Sequence, residues 1–335
     1  MKFIHIGDAH LRDQTWANLS AVSGDALKAC QKAHDYALNN NISVIVLSGD
    51  VFHSSKPTSK DIEVFNHLIE PFSHVLFIEG NHETAKPMWL ESLHNDKIIH
   101  LNQYQGLILE GSAFYGIDYS RSREELLNGI GNVLKCSPTK KDFLVMHCGF
   151  QHMINFEGAS QLGASDVSGF PGTVLVSHVH KRKTYKNIHS PGPMFPQNWE
   201  EIGTCFVDII DTDTGEISGL DVTVRDYLVI GHSEVSSFVN TPKELPTVVK
   251  VIISDPNVPV PVIPGCIVVP SITGASDVSG SSVSECKCMS IEEAIRAEYD
   301  DDNDSNIMID LYKSDSPKDY IDRLLKDNNI ERRSL

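Results

Sequence analysis

Val44-Ile45-Val46-Leu47-Ser48-Gly49-Asp50-Val51-Phe52-His53 is an apolar run that breaks at a glycine and delivers a carboxylate directly after it. Four consecutive aliphatic residues bounded by a turn signal fit a strand buried on both faces, as in a parallel sheet. The same grammar stands on either side. Lys2 to Gly7 predicts a strand with Asp8 and His10 just beyond its end, and Val75 to Ile78 predicts another running into Gly80, Asn81, His82 and Glu83. Further along, Phe143 to Met146 leads to His147, and Val174 to Val176 leads to Ser177, His178 and His180. Between the first strands lie helical patterns. Leu19, Val22, Ala26, Cys30, Ala33 and Ala37 recur at steps of three and four up to an Asn39-Asn40-Asn41 stop. Ile62, Phe65, Leu68 and Ile69 follow a cap at Thr58 or Ser59. Strands alternating with helices predict a largely parallel sheet, whose ligands gather at the carboxyl ends of the strands.

Those ends carry the polar residues. In Asp8-x-His10, alternate positions of one extended segment can direct a carboxylate and an imidazole at the same ion. With Asp50, His53, Asn81, His82, His147, His178 and His180, the chain offers hard oxygen and borderline nitrogen donors in five successive elements. A pair of cations about 3.5 to 4 Å apart needs such a set, with one carboxylate shared between the ions. Gly49 and Gly80 read as tight turns that let backbone approach the donors. His5, His34, His67, His74, His94, His100, His152 and His232 match no motif and read as surface or satisfied core histidines. Cys148 reads as a buried small residue rather than a nucleophile, and Cys286 and Cys288 as incidental thiols.

In order and content these motifs resemble the calcineurin-like metallophosphoesterase superfamily over about the first 200 residues. Within it, the chain is similar to the SbcD-type nuclease subunits of DNA double-strand-break processing complexes, including phage recombination nucleases. Gly49-Asp50-Val51-Phe52-His53 matches the nuclease pattern, where protein phosphatases continue Asp-Arg-Gly. Glu83 departs from the usual aspartate and pulls towards the phosphatases, as does the acidic composition. The resemblance implies an α/β fold, a β-sandwich flanked by helices with a smaller C-terminal accessory domain. It implies two divalent metal ions, expected to be Mn²⁺. Asp8, His10, Asp50 and His180 would surround one ion, and Asp50, Asn81, His147 and His178 the other, with Asp50 as bridge. His82 would stabilise phosphoryl oxygens or protonate the leaving oxygen. For His53, a phosphate role competes with packing beside the metals. The implied activity is a 3′ to 5′ exonuclease on duplex DNA and an endonuclease on single strands. The alternative is a metal-dependent phosphomonoesterase or protein phosphatase.

Lys and Arg total 28 against 45 Asp and Glu, a formal charge of −17, so the average surface repels a polyanion. Lys181, Arg182, Lys183 and Lys186 form a compact basic patch beside the motifs, read as a DNA contact. The patch alone cannot grip duplex DNA, and the resemblance implies an SbcC-type coiled-coil ATPase partner and a homodimer. Met1 leads straight into a strand and no stretch could span a bilayer, so the expected location is the cytoplasm of a bacterial or phage-infected cell, without membrane contact.

Beyond the motifs, Gly106 to Asp142 leaves room for cleft-shaping loops, and Cys205 to Val224 reads as an antiparallel hairpin finishing the sheet. The nuclease domain is expected over residues 1–232 and the accessory region over 233–335. In the latter, Val248 to Ile253 and Cys266 to Val269 read as strands, and residues 271 to 284 as linker. Ser290 with Glu293 would cap a short helix, and Pro317 to Leu325 would form an amphipathic helix able to dock on the partner.

Overall fold

In the computed structural model the described residues are 1–272, except 15, 17–20, 84–88, 94, 102–105, 152, 154–160, 242 and 256. The first half of the fold alternates as its apolar pattern requires: β1 (Lys2–Ile6), α1 (Asp25–Asn40), β2 (Val44–Leu47), α2 (Ser59–Ile69), β3 (His74–Phe77), α3 (Trp89–Ser92) and β4 (Ile98–His100). Next come β5 (Leu107–Leu109), β6 (Ser112–Ile117), α4 (Arg123–Lys135), β7 (Phe143–His147), β8 (Thr173–Ser177), β9 (Lys183–Tyr185) and β10 (Ile188–Ser190). The hairpin β11 (Phe206–Asp211) and β12 (Ile217–Asp221) returns to the first sheet. Strand orders are β12-β11-β1-β2-β3-β4 and β5-β6-β7-β8-β10-β9. The pairs from β1 to β4 and from β6 to β8 are parallel, as is β10 with β8.

Side-chain alternation along these strands builds a layered core. Phe3, Val44, Val46, Leu76 and Ile78 of the first sheet pack with Phe114, Phe143, Val145 and Leu175 of the second. Three rings mark the centre of that layer, with Phe3 edge-on to Phe114 and Phe143 at 5.2 and 4.9 Å. The intervening residues Ile4, Ile6, Ile45, Leu47, Val75 and Phe77 turn outward and pack with α1 and α2. On the other sheet Leu144, Met146, Val174 and Val176 meet Leu126, Ile130 and Val133 of α4. The result is the helix-flanked β-sandwich expected from the motifs.

Two expectations change. The first helix begins at Asp25, because Gly24 adopts φ 84 and turns the chain before the helix; Val22 is buried but precedes it, and Leu19 lies outside the described residues. Its end at Asn40, with Asn41 left-handed as the cap, is where the three asparagines placed it. Gly106 to Asp142, expected to leave room for loops, contains β5, β6 and α4. Leu107 and Leu109 are half-buried against the sandwich, whereas Ile108 between them is 71% exposed, the alternation of an edge strand. Thr58 caps α2 in a reciprocal box with Asp61.

β13 (Tyr227–Gly231), a 3₁₀ turn (His232–Ser237), β14 (Thr247–Ile253) and β15 (Cys266–Ile272) form a small parallel sheet in the order β13-β14-β15. Position 232 therefore falls between strands that pair, and Met1–Thr273 clusters as one compact unit. β15 runs three residues past the expected Val269, and Pro270 is accommodated because the strand is at the sheet edge. The expected helices near Ser290 and over Pro317 to Leu325 lie outside the described residues.

A buried ionic latch ties β13 to the start of α1. The Arg225 guanidinium donates from Nε to Asp25 Oδ1 at 2.9 Å and pairs through Nη2 with Oδ2 at 2.8 Å. The Tyr227 hydroxyl donates to Asp25 Oδ1 at 2.7 Å, and Arg225 also reaches the carbonyls of Ser23 and Pro246. Trp16 stacks on Tyr227 at 5.1 Å and meets Trp199 edge-on at 4.6 Å, which seals this corner from water.

Candidate metal centre

Each predicted donor sits just past a parallel strand: Asp8 and His10 after β1, Asp50 after β2, Asn81 after β3, His147 at the end of β7, and His178 and His180 after β8. The backbone turns sharply there. Asp8, His10, Asp50 and His178 all have positive φ, at 45, 42, 49 and 91°. Non-glycine residues in that region cost on the order of 1–3 kcal/mol each, and such strain concentrates at functional sites. Gly49 (φ 92) and Gly80 justify their reading from the sequence. A Cβ at Gly49 would run into the His147 ring, and one at Gly80 into the backbone and carboxylate of Asp50.

The donor atoms form one continuous line. His178 Nδ1 lies 2.8 Å from Asn81 Oδ1, which lies 3.0 Å from His147 Nε2. His147 Nε2 is 3.4 Å from Asp50 Oδ2, and the same oxygen is 3.6 Å from His10 Nε2. His10 Nε2 then faces His180 Nε2 at 3.0 Å, and His180 Nε2 is 4.0 Å from Asp8 Oδ1. All seven predicted ligands are thus brought together, and Asp50 Oδ2 stands between the His147 end and the His10–His180 end. Asp8 also belongs to both ends, since it groups with His10 and His180 and again with Asp50 and His147, ligand atoms within 4.8 Å of one another.

Orienting bonds leave these atoms free for a cation. The His147 Nδ1–H donates to the Ser48 carbonyl at 2.9 Å, and the His180 Nδ1–H to Glu201 Oε1 at 3.0 Å, so each ring in its neutral form presents a lone pair at Nε2. His10 Nδ1 is buried without a hydrogen-bond partner. Burial pushes the Asp8 carboxyl up, and it pushes His10 down to about 2. At Asp50, burial acts against ionisation but the adjoining His147 outweighs it and holds the carboxyl below its ordinary range. Burial likewise opposes charge on His147, yet Asp50 and Asp8 raise it to about 9. Buried carboxylates facing several imidazole nitrogens are a donor set that divalent cations fit.

His82 and His53 lie next to the line. The His82 Nδ1–H donates to the His53 carbonyl at 2.5 Å and its backbone N–H donates to Asp50 Oδ1 at 2.8 Å. Its Nε2 is 3.9 Å from Asp50 Oδ2, on a side chain 32% exposed. The His53 ring packs at 5.5 Å from His10 and 5.4 Å from His82, with Nδ1 buried and unpartnered. Burial and Arg12 hold His53 down to about 4.

Glu83 has an internal task. Its carboxylate accepts the backbone N–H groups of Asp50 and Gly80 at 2.8 Å, Val51 at 2.9 Å and Phe52 at 3.3 Å, so it cross-ties two donor loops. Burial raises it to about 7. Its carboxylate therefore serves the packing of the loops that carry Asp50 and Gly80.

The basic residues diverge. Arg182 pairs with Asp208 Oδ1 at 2.6 Å and lies over the Phe206 ring at 4.7 Å, so its charge is largely committed to β11. Lys183 is in β9, Lys186 is at the β9–β10 turn over Tyr185 at 5.5 Å, and Lys181 is exposed beside His180. A groove of about 470 Å³ opens there, lined by Val179, His180, Lys181, Gly192, Glu201 and Phe206 among others.

Sequence reasoning missed Glu201, Ser48 and Arg12. Glu201 accepts not only from His180 but from Gln197 N at 2.8 Å and Asn198 Nδ2 at 2.6 Å, so it is held firmly as the orienting carboxylate. Glu201→Ala is expected to weaken metal binding by about 10- to 100-fold while the chain stays folded. Metal titration followed by calorimetry, beside a circular dichroism melt, checks this; unchanged affinity would remove Glu201 from the site.

Residues 1–200 match the family described as calcineurin-like phosphoesterase. The chain is 24% identical over 257 residues to the DNA double-strand break repair protein Mre11 of Sulfolobus acidocaldarius, covering 69% of this chain and 66% of that protein. It is 25% identical over 193 residues to Mre11 of Saccharolobus solfataricus, covering 54% and 50%, and 25% identical over 266 residues to Mre11 of Methanocaldococcus jannaschii, covering 71% of each. The match thus spans half to seven-tenths of these relatives' lengths. Among solved structures, a dimetal phosphatase from Danio rerio aligns with a TM-score of 0.45 and 12% identity over 67% of this chain and 96% of that one. No helix among the described residues is long and apolar enough to cross a membrane.

Proposed function

The chain belongs to the calcineurin-like phosphoesterase family, and from that premise we propose that it is the nuclease subunit of a DNA double-strand-break processing complex. The single observation that carries a two-cation reading is the position of Asp50 Oδ2, 3.4 Å from His147 Nε2 on one side and 3.6 Å from His10 Nε2 on the other. Asp8, His10, Asp50 and His180 would hold one divalent ion, and Asp50, Asn81, His147 and His178 the second. When bound, such ions supply an activated water and neutralise charge on a phosphoryl group. The chain's own part is to orient and to move a proton. Ser48 and Glu201 fix two imidazoles so that Nε2 faces inward. His82, pinned through Nδ1 to the His53 carbonyl, keeps Nε2 accessible for a phosphoryl oxygen or the leaving oxygen. His53 packs beside both His10 and His82, where it would brace the His82 ring or help to neutralise a phosphate.

Manganese is the proposed ion. The proposed reactions are 3′ to 5′ exonucleolytic cleavage of duplex DNA and endonucleolytic cleavage of single strands. With a net charge of −17, the chain leaves most duplex binding to a partner, proposed to be a coiled-coil ATPase of the SbcC type. Lys181, Lys183 and Lys186 would contact phosphates near the cleft, and Arg182 would act mainly by holding their loop to β11. Residues 1–232 would form the nuclease domain and 233–335 the accessory region of a homodimer, working in the cytoplasm of a bacterial or phage-infected cell.

Incubating the protein and Mn²⁺ with linear duplex, single-stranded circles and a chromogenic phosphomonoester tests this reading. DNA cleavage is expected. Rapid phosphomonoester turnover with both DNAs intact would instead make the chain a phosphomonoesterase. His82→Gln is expected to lower kcat by about 10²- to 10⁴-fold with metal content preserved. Loss of metal equal to that of an Asp50 variant would abolish the separate role of His82.

A further inference from the structure

A second group of metal-capable side chains lies on the helical layer: His34 on α1, His67 on α2, and Glu70 at the C-terminal cap of α2. Their nitrogen and oxygen atoms lie within 4.8 Å of one another. The hydrogen bonds around them decide where the protons are. His34 Nδ1 is 3.1 Å from Asp35 Oδ1, and His67 Nε2 is 2.7 Å from Gln31 Oε1. Gln31 spends its amide N–H on Asp35 Oδ1 at 2.7 Å, so its oxygen is what faces His67. Both outer partners are acceptors, and the two ring nitrogens that meet them must donate.

The remaining nitrogens are then lone pairs in the neutral rings. His34 Nε2 is 3.5 Å and His67 Nδ1 is 3.9 Å from one and the same oxygen, Glu70 Oε2. Three electron-pair donors gathered within 4.8 Å of one another offer a place for a positive charge. The pattern is that of oriented metal ligands, each imidazole giving its far N–H to an acceptor and turning its near nitrogen inward. For bonds of about 2.0–2.1 Å, the edges of a tetrahedral zinc site are about 3.3–3.4 Å. The His34 separation of 3.5 Å is close to that, and the His67 separation of 3.9 Å is longer.

We propose that His34, His67 and Glu70 bind Zn²⁺ as a two-histidine, one-carboxylate site that clamps α1 to α2, with solvent completing the shell. The rings are stacked, with centroids 4.5 Å apart and planes at 21°, so one ring must turn for both lone pairs to meet an ion. His34 is held, its side chain only 9% exposed, whereas that of His67 is 28% exposed, so His67 is the ring that would turn, loosening its bond to Gln31 as it does. The site shares no ligand with the metal centre, and it needs no assumption about the reaction. It joins the two helices that directly follow β1 and β2, the strands whose ends carry Asp8, His10 and Asp50.

The test is zinc stoichiometry of the full chain, measured by elemental analysis after loading with excess Zn²⁺ and exhaustive dialysis. Wild type is compared with Glu70→Gln and His67→Ala. Glu70 is 71% exposed in its side chain, so the glutamine variant should fold as wild type. Both variants are expected to retain one zinc equivalent fewer than wild type, and zinc should raise the melting temperature of wild type more than that of either. Wild-type stoichiometry in either variant would overturn the proposal.

Discussion

Asp50→Ala is expected to abolish phosphodiester cleavage, a loss of at least about 10³-fold, and to leave the protein unable to hold its full complement of divalent ions. A single oxygen of this carboxylate stands between both ends of the donor line, so its removal should damage both cation positions, not one. Asp50→Asn keeps the shape and can still accept from the His82 N–H, but it loses the charge that opposes His147 and His10. The asparagine variant is therefore expected to fold like wild type and to fail mainly in metal binding. Elemental analysis and a nuclease assay on the two variants check this. Normal ion content in Asp50→Ala would refute the shared-carboxylate arrangement.

The second large effect concerns stability. Asp25→Ala should destabilise the chain by about 3–5 kcal/mol, because it strands the Arg225 guanidinium in a buried corner without its counter-charge. Both side chains are only 1% exposed, so water cannot take the carboxylate's place. Tyr227→Phe removes one hydrogen bond to the same carboxylate and should cost about 1 kcal/mol. Denaturant melts of both variants, with metal content held equal, provide the comparison. A change under about 1 kcal/mol in Asp25→Ala would show that the latch contributes little.

Much of the metal centre was legible because buried parallel strands leave a plain signature. Val44 to Leu47 is apolar on both faces, so the first polar residues after it have to lie at the strand's end, where partners from neighbouring strands also arrive. The same logic located Asp8, Asn81, His147 and His178. The orienting shell was not legible, for a physical reason. Glu201 is one of 45 acidic residues, and its partnership with His180 depends on how the 197–203 loop folds back. Glu83 was visible as a substitution, but its four backbone partners exist only once the loops at Asp50 and Gly80 meet. Arg182 was read by its charge, whereas Asp208, unrelated in sequence spacing, decides what that charge does. Within Gly106 to Asp142, β5, β6 and α4 were not picked out, because Leu107-Ile108-Leu109 is short and α4 contains Gly129 and Gly131, both weak signals of regular structure.

Donor atoms come from both sheets, and the contacts that complete the line, His10 to His180 and Asn81 to His147 and His178, all cross from one sheet to the other. A fragment that holds only one of the sheets lacks part of the donor line. During synthesis, Asp8 and His10 emerge early, yet their counterparts His178 and His180 leave the ribosome only after most of both sheets has been made. The complete set of seven donors exists only once the two layers have docked, so full ion occupancy would report that docking.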